Sequence, residues 1–201
     1  MLCFEFRGCA AAVALGVSGA ALAADVDLAT GSGSDYAELV FHFGDDEDVT
    51  FGVTFDAAVE AWSGESFVYF VADATGGRLL DGTDAGFTPP ADFGQLGGLD
   101  LVFKTFAFGS FFDGFGYGGR SDLGFGGGED FWHLWEGTTT STTPTGWSSA
   151  SVGASDIAVV DQTAIGFRYG SALAPLEVPE PGTLGLVLCS GLMLNRRRHH
   201  R

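Results

Sequence analysis

Cysteine is missing from the whole middle of the chain: the three present are Cys3, Cys9 and Cys189, one pair near the start and one near the end. No disulfide can staple the region between them, so its core must hold without one. Basic residues are almost as scarce. Between residues 25 and 181 only Arg78, Lys104, Arg120 and Arg168 face 25 acids, a balance of −21. Such a charge repels phosphate backbones and leaves no basic patch, which excludes nucleic-acid binding. It also repels anionic headgroups and acidic polysaccharides unless divalent cations bridge them, which raises the question of calcium. Histidine is limited to His42 and His133 in this region, and their separation fits no zinc site. A G-x-S-x-G elbow is absent, so a Ser-His-Asp hydrolase has no support. Carboxylate pairs of the glycosidase type cannot be picked out of so many acids by sequence. No catalytic residue and no cofactor is assigned. Apolar runs long enough to span a bilayer, about 20 residues, are lacking too, and there is no internal repeat.

What is present is most explicit at the two ends. Arg7 precedes an apolar block from Ala10 to Val17, followed by Ser18-Gly19-Ala20-Ala21-Leu22-Ala23-Ala24. A basic residue, an apolar stretch of roughly 7–15 residues and an A-x-A site form the order of a secretory signal. Residues 1–24 therefore read as a signal peptide read by the Sec translocon and cut by signal peptidase after Ala23 or Ala24, with Ala21 at the other small position. Cys9 lies before the apolar block, where a lipidation signal would place it after.

At the other end, Val178-Pro179-Glu180-Pro181 leads into an apolar segment from Gly182 to Leu194, and then Arg196-Arg197-Arg198-His199-His200-Arg201. Each proline fixes its own φ and disfavours helix in the residue before it, so the triplet is extended and accessible to a processing enzyme. The apolar segment can form a short helix with Arg196, Arg197, Arg198 and Arg201 stopping it on the cytoplasmic side. At about 13 residues it is short for a full hydrocarbon core, and suits a transient anchor. These three elements in this order resemble the PEP-CTERM sorting domain. The resemblance covers 182–201 and the preceding motif in the linker 173–181, and it implies handling by exosortase. The chain is then an exported protein of the cell envelope, cell surface or extracellular matrix.

Residues 25–37 read as a polar lead-in with little to bury, and 38–172 as a single exported domain. Glu38–Phe43 and Val49–Phe55 form a hairpin, with Val49, Phe51, Val53 and Phe55 on one face. Residues 61–74 fit a helix or a strand, and Ser63 with Glu65 nearby favours a helix capped at Ser63. Leu99–Phe108 is a strand. From Gly109 to Gly128 glycine and phenylalanine interleave, which reads as short strands and tight turns with the rings in the core, or as an assembly-prone low-complexity segment. Phe131–Trp135, Trp147–Gly153, Ile157–Val160 and Ala164–Tyr169 complete the strands, with a Thr-rich loop from Thr138 to Thr145. Many short strands with Gly-rich turns indicate a mainly β fold: sandwich-like antiparallel sheets with one short helix packed on a sheet. The order of Val40–Phe43, Phe51–Val53, Gly64-Glu65, Phe115–Tyr117, Trp132/Trp135, Trp147 to Ser155 and Gly166–Tyr169 is similar to an uncharacterised surface domain found in PEP-CTERM proteins. That resemblance implies no enzymatic activity.

Two constellations can carry binding. Asp45-Asp46-Glu47-Asp48 has the oxygens calcium needs, but adjacent residues in a turn cannot all point inward, and neither EF-hand spacing nor the G-G-x-G-x-D repeat is present. A solvated turn is the plainer reading, and Gly126–Asp130 has still less to offer. Trp132, Trp135 and Trp147, with Trp62 and Tyr117, can form an aromatic platform for sugar rings, with carboxylates accepting bonds from hydroxyls. Trp132 and Trp135 are an odd number of residues apart and face opposite sides of one strand, so one is core and the other is exposed. The sequence thus reads as a non-catalytic surface or matrix protein associated with extracellular polysaccharide. The alternative is a carbohydrate- or calcium-binding surface module.

Overall fold

The computed structural model describes residues 25–30, 33–44, 48–107, 109–124, 131–139, 144–170 and 175. The expected signal peptide (1–24), the Pro-Glu-Pro motif, the apolar tail with its arginines, Asp45–Glu47 and Gly126–Asp130 lie outside the described residues. In chain order the elements are β1 (Val26–Ala29), β2 (Asp35–His42), β3 (Asp48–Phe55), α1 (Gly64–Thr75), β4 (Leu79–Asp81), β5 (Asp100–Phe106), β6 (Gly109–Tyr117), β7 (Arg120–Leu123), β8 (Trp132–Thr139), β9 (Pro144–Ser149) and β10 (Thr163–Tyr169). A 3₁₀ turn, Ala154–Asp156, precedes β10. The fold is mainly β: a six-stranded sheet ordered β1-β3-β2-β10-β8-β9, a four-stranded sheet ordered β4-β5-β6-β7, and one helix.

The expected hairpin is the nucleus of the large sheet. β2 and β3 pair antiparallel with Leu39 opposite Phe51 and Phe41 opposite Val49. The period-2 alternation sends Ala37, Leu39 and Phe41, with Val49, Phe51, Val53 and Phe55, to one buried face. β10 then adds to β2 in parallel and receives β8 antiparallel on its other side. The small sheet closes over this face: the Phe115 ring lies 4.6 Å from Phe41 and 4.9 Å from Phe167, and Tyr117 lies 5.0 Å from Phe51. The Gly/Phe-rich segment accordingly forms β6 and β7. A bulge opposite Val102/Phe103 lets both Phe112 and Phe115 contribute to the ring cluster although they are three residues apart.

The ambiguous segment is a helix. Ser63 caps it in a reciprocal box with Ser66: the Ser66 N–H donates to Ser63 Oγ, and Ser66 Oγ accepts from the Ser63 N–H. Gly76 ends it in the left-handed region at φ 75°, which a residue with a Cβ adopts at a cost. Phe67, Val68, Val71 and Ala72 bury its inner face. The Leu99 N–H donates to Thr75 Oγ1 at 2.9 Å, tying the helix end to the chain entering β5.

Four local expectations change. Residues 25–37 are not a bare lead-in: β1 pairs parallel with β3, and Val26 and Leu28 pack on the core while Asp27 faces solvent. Two apolar residues among acids are too short a pattern to stand out in the sequence. The Thr-rich loop is shorter than expected, because Thr138 and Thr139 belong to β8 and Pro144 opens β9, an edge strand where a missing N–H is tolerated. Ile157–Val160 is not a sheet strand but makes one bridge, Ala158 to Ser63, with Ile157 and Val159 buried. Five strand pairs are antiparallel, and three are parallel: β1–β3, β2–β10 and β4–β5.

The small sheet is pinned by a buried carboxylate. Asp100, 1% exposed, accepts from Arg78 Nη2 at 2.6 Å, from Arg78 Nε at 3.0 Å and from the Gly94 and Arg78 N–H groups. Burial alone would raise its carboxyl pKa; the bonds from Arg78 and Gly94 outweigh this and hold it below the ordinary value. A depressed carboxyl contributes stability above the unfolded pKa and loses it as pH falls through the folded one. Asp100→Ala is therefore expected to cost about 3 kcal/mol at neutral pH. In urea unfolding, the gap from the parent protein should narrow below about pH 4.

Candidate functional site

The tryptophan platform expected from sequence is divided between two faces. Trp132 points to the inner side of β8, its indole 5.0 Å from Phe115 and 5.3 Å from Tyr169, with Nε1 donating to the Asp122 carbonyl at 3.3 Å. Trp135, three residues on, lies on the opposite face, as the odd spacing requires. Trp147 shares that outer face, filling the space left where Gly137 and Gly166 lack a Cβ. Pro175 covers Gly166 from the same side. Both outer indole Nε1 atoms are buried and without a hydrogen-bond partner among the described residues. Trp62 stacks on Phe55, Phe67 and Phe70 and belongs to the core. Trp132, Trp135 and Trp147 therefore do not form one surface.

Trp132 instead forms part of a cleft of about 670 Å³ where the two sheets, α1 and the 3₁₀ turn meet. That volume is in the range of small-molecule sites. Phe112, Trp132 and Phe167 form its inner wall, and they are also members or neighbours of the ring cluster, Phe112 lying 5.7 Å from Phe167. Phe111 and Phe131 stand at its mouth, 41% and 39% exposed. The wall is thus set by packed core and does not need to form on binding. Large rings left open beside a cavity are the unusual feature, since ordinary packing would bury them.

Two carboxylates line the same cleft. Glu65 sits in the first turn of α1, where its charge is favoured by the helix N-terminus. Asp156 closes the 3₁₀ turn. The two elements are joined by the Gly64 N–H, which donates to the Ile157 carbonyl at 2.8 Å. A side chain at position 64 would come within 2.9 Å of the Ala154 carbonyl, so glycine permits this close approach. Glu65 Oε1 accepts from Tyr69 OH at 3.3 Å. The described residues lining the cleft include no base. Neither acid stands out by sequence: Glu65 reads as part of a helix start, and Asp156 lies in a stretch without periodicity.

The remaining candidates do not converge here. Asp48, the described member of the acidic run, pairs with His42 Nδ1 at 2.7 Å. Among the described residues no group of three or more His, Cys, Asp or Glu is placed to hold a metal ion. His133 packs on Phe131, ring to ring at 4.1 Å.

Burial, and then the Glu65 carboxylate, push the Tyr69 hydroxyl up to about 12 from its ordinary 10.0. A raised folded pKa gives stability that is full below about pH 10 and is lost as pH rises through the folded value. Spectrophotometric titration of Glu65→Gln should show one tyrosine moving back toward its ordinary value while the fold stays intact at neutral pH. No family model, curated protein or solved structure matches this chain, so the cleft is read from its own geometry.

Proposed function

We propose that the chain is an exported cell-surface or extracellular-matrix protein, sorted by exosortase, whose folded body has no catalytic role. The observation that carries this reading is the coincidence of Pro179-Glu180-Pro181, the apolar run from Gly182 and the arginines 196–198 and 201 behind a β domain. The body supports it in two respects. Its core is complete without any cysteine, so it needs no oxidative step after export. Its last strand among the described residues ends at Tyr169, ahead of the motif in the sequence. Among the described residues no helix is long and apolar enough to cross a membrane. Anchoring in this reading falls to residues 182–201.

A second reading, a carbohydrate-binding module, is favoured by the aromatic cleft with its two carboxylates. Rings present flat apolar faces to the C–H side of a pyranose, and carboxylates accept from its hydroxyls. Sorting and binding are compatible: one concerns the ends and the other the body.

Intact mass spectrometry of the protein recovered from its producing cells tests the sorting reading. The expected product begins after Ala23 or Ala24 and has lost the arginine-rich end. Replacing Pro179, Glu180 and Pro181 with alanine should leave that end attached and shift the protein to the membrane fraction. Native protein found in the cytosol with Met1 and Arg201 both retained would refute the proposal.

A further inference from the structure

We infer that the cleft between the two sheets selects sugars that carry a free amine, such as glucosamine residues of a partly deacetylated polysaccharide. This deepens the carbohydrate-binding reading and rests on it. The argument is charge complementarity inside an aromatic site. Among the described residues that line the cleft, Glu65 and Asp156 are the only charged ones, and both are negative. Glu65 has one side-chain bond, from Tyr69, and a carboxylate has room for about four. Asp156 has no side-chain hydrogen bond among the described residues and is exposed. Both carboxylates therefore line the cleft with acceptor capacity to spare.

The walls favour the same ligand. A cation near the face of an aromatic ring is attracted by the ring quadrupole, most strongly where water is excluded. Phe111, Phe131 and Trp132 all line the cleft, so an entering cation is brought beside aromatic rings. A neutral sugar would use the rings and leave the carboxylates with hydroxyl bonds alone. An ammonium group on the same ring adds charge-assisted bonds, which are roughly twice as strong. Acidic sugars are excluded twice over, by these two carboxylates and by the −21 balance of the exported region.

The test titrates the full-length chain in mild detergent with three tetrasaccharides: β-1,4-linked glucosamine, its N-acetylated form and β-1,4-linked glucose. The glucosamine tetramer should bind about tenfold more tightly than the other two. Glu65→Gln with Asp156→Asn should remove that preference while lowering the thermal midpoint by only a few degrees, since Glu65 also serves the helix N-terminus. Because an acidic protein attracts cations everywhere, Asp73→Asn with Asp84→Asn, both exposed and outside the cleft, serves as the control and should keep the preference intact. Phe111→Ala with Phe131→Ala should weaken all three ligands. Equal binding of the glucose tetramer would overturn the amine inference and leave the carbohydrate-binding reading standing. Absence of binding by any of the three would overturn both, and a preference lost equally in the control variant would reduce it to bulk charge and overturn the site.

Discussion

The rest of the structure depends on the stacking of aromatic rings between the two sheets. Phe41 stands at its centre, 4.6 Å from Phe115, 5.6 Å from Phe167, 6.0 Å from Phe51 and 6.2 Å from Trp132. These five rings come from β2, β6, β10, β3 and β8, so one cluster joins strands of both sheets. A buried ring removes roughly 150–250 Å² from water, worth about 4–6 kcal/mol each as an upper bound. With no cysteine between residues 25 and 181, no disulfide adds to this term there. Tilted and edge-on pairs dominate the cluster, as the ring quadrupole favours.

The same cluster explains where the cleft lies and why it is rigid. Phe112, Trp132 and Phe167 face the core on one side and the cleft on the other, so the site begins where the aromatic layer runs out of partners. Asp113, from the bulge, turns away from this layer and pairs with Lys104 at 2.7 Å. Asp100 is matched in the same way by Arg78, whereas Glu38, 1% exposed, accepts from the Tyr36 hydroxyl.

Strand positions were readable wherever alternation was long. Val49 to Phe55 and Ala164 to Phe167 carry enough β-branched and aromatic residues to define themselves. Helix α1 was readable from Ser63, although its reciprocal partner is Ser66 and not Glu65. What the residues do not encode locally is partner choice. Nothing in Thr163–Tyr169 says that it inserts between β2 and β8, parallel to one and antiparallel to the other, because direction is decided by the crossover and not by the strand. The cleft was illegible for the same reason: Glu65, Phe111, Phe131 and Asp156 are brought together by that topology. The odd spacing of Trp132 and Trp135 did separate their faces, yet gave no means of knowing which face holds the cavity.

Topology also bears on the proposed export. β10 is interior to the six-stranded sheet but last in sequence, pairing Thr163 with Ala37 across most of the domain. Until it arrives, β2 has one open edge, and the hairpin β2–β3 with β1 is only half a sheet. Such non-local pairing folds slowly, since loop-closure entropy is spent before the contacts form. Open edges and exposed rings meanwhile invite association with other chains. A chain threaded N-terminus first through a translocon meets this hazard for the whole of its passage. The acidic residues oppose it: 25 like charges between residues 25 and 181 make unfolded copies repel one another. They also keep the incomplete sheet from collapsing early, since self-repulsion opposes compaction. The 25 acids between residues 25 and 181 thus oppose both association and early collapse while β10 is still unpaired.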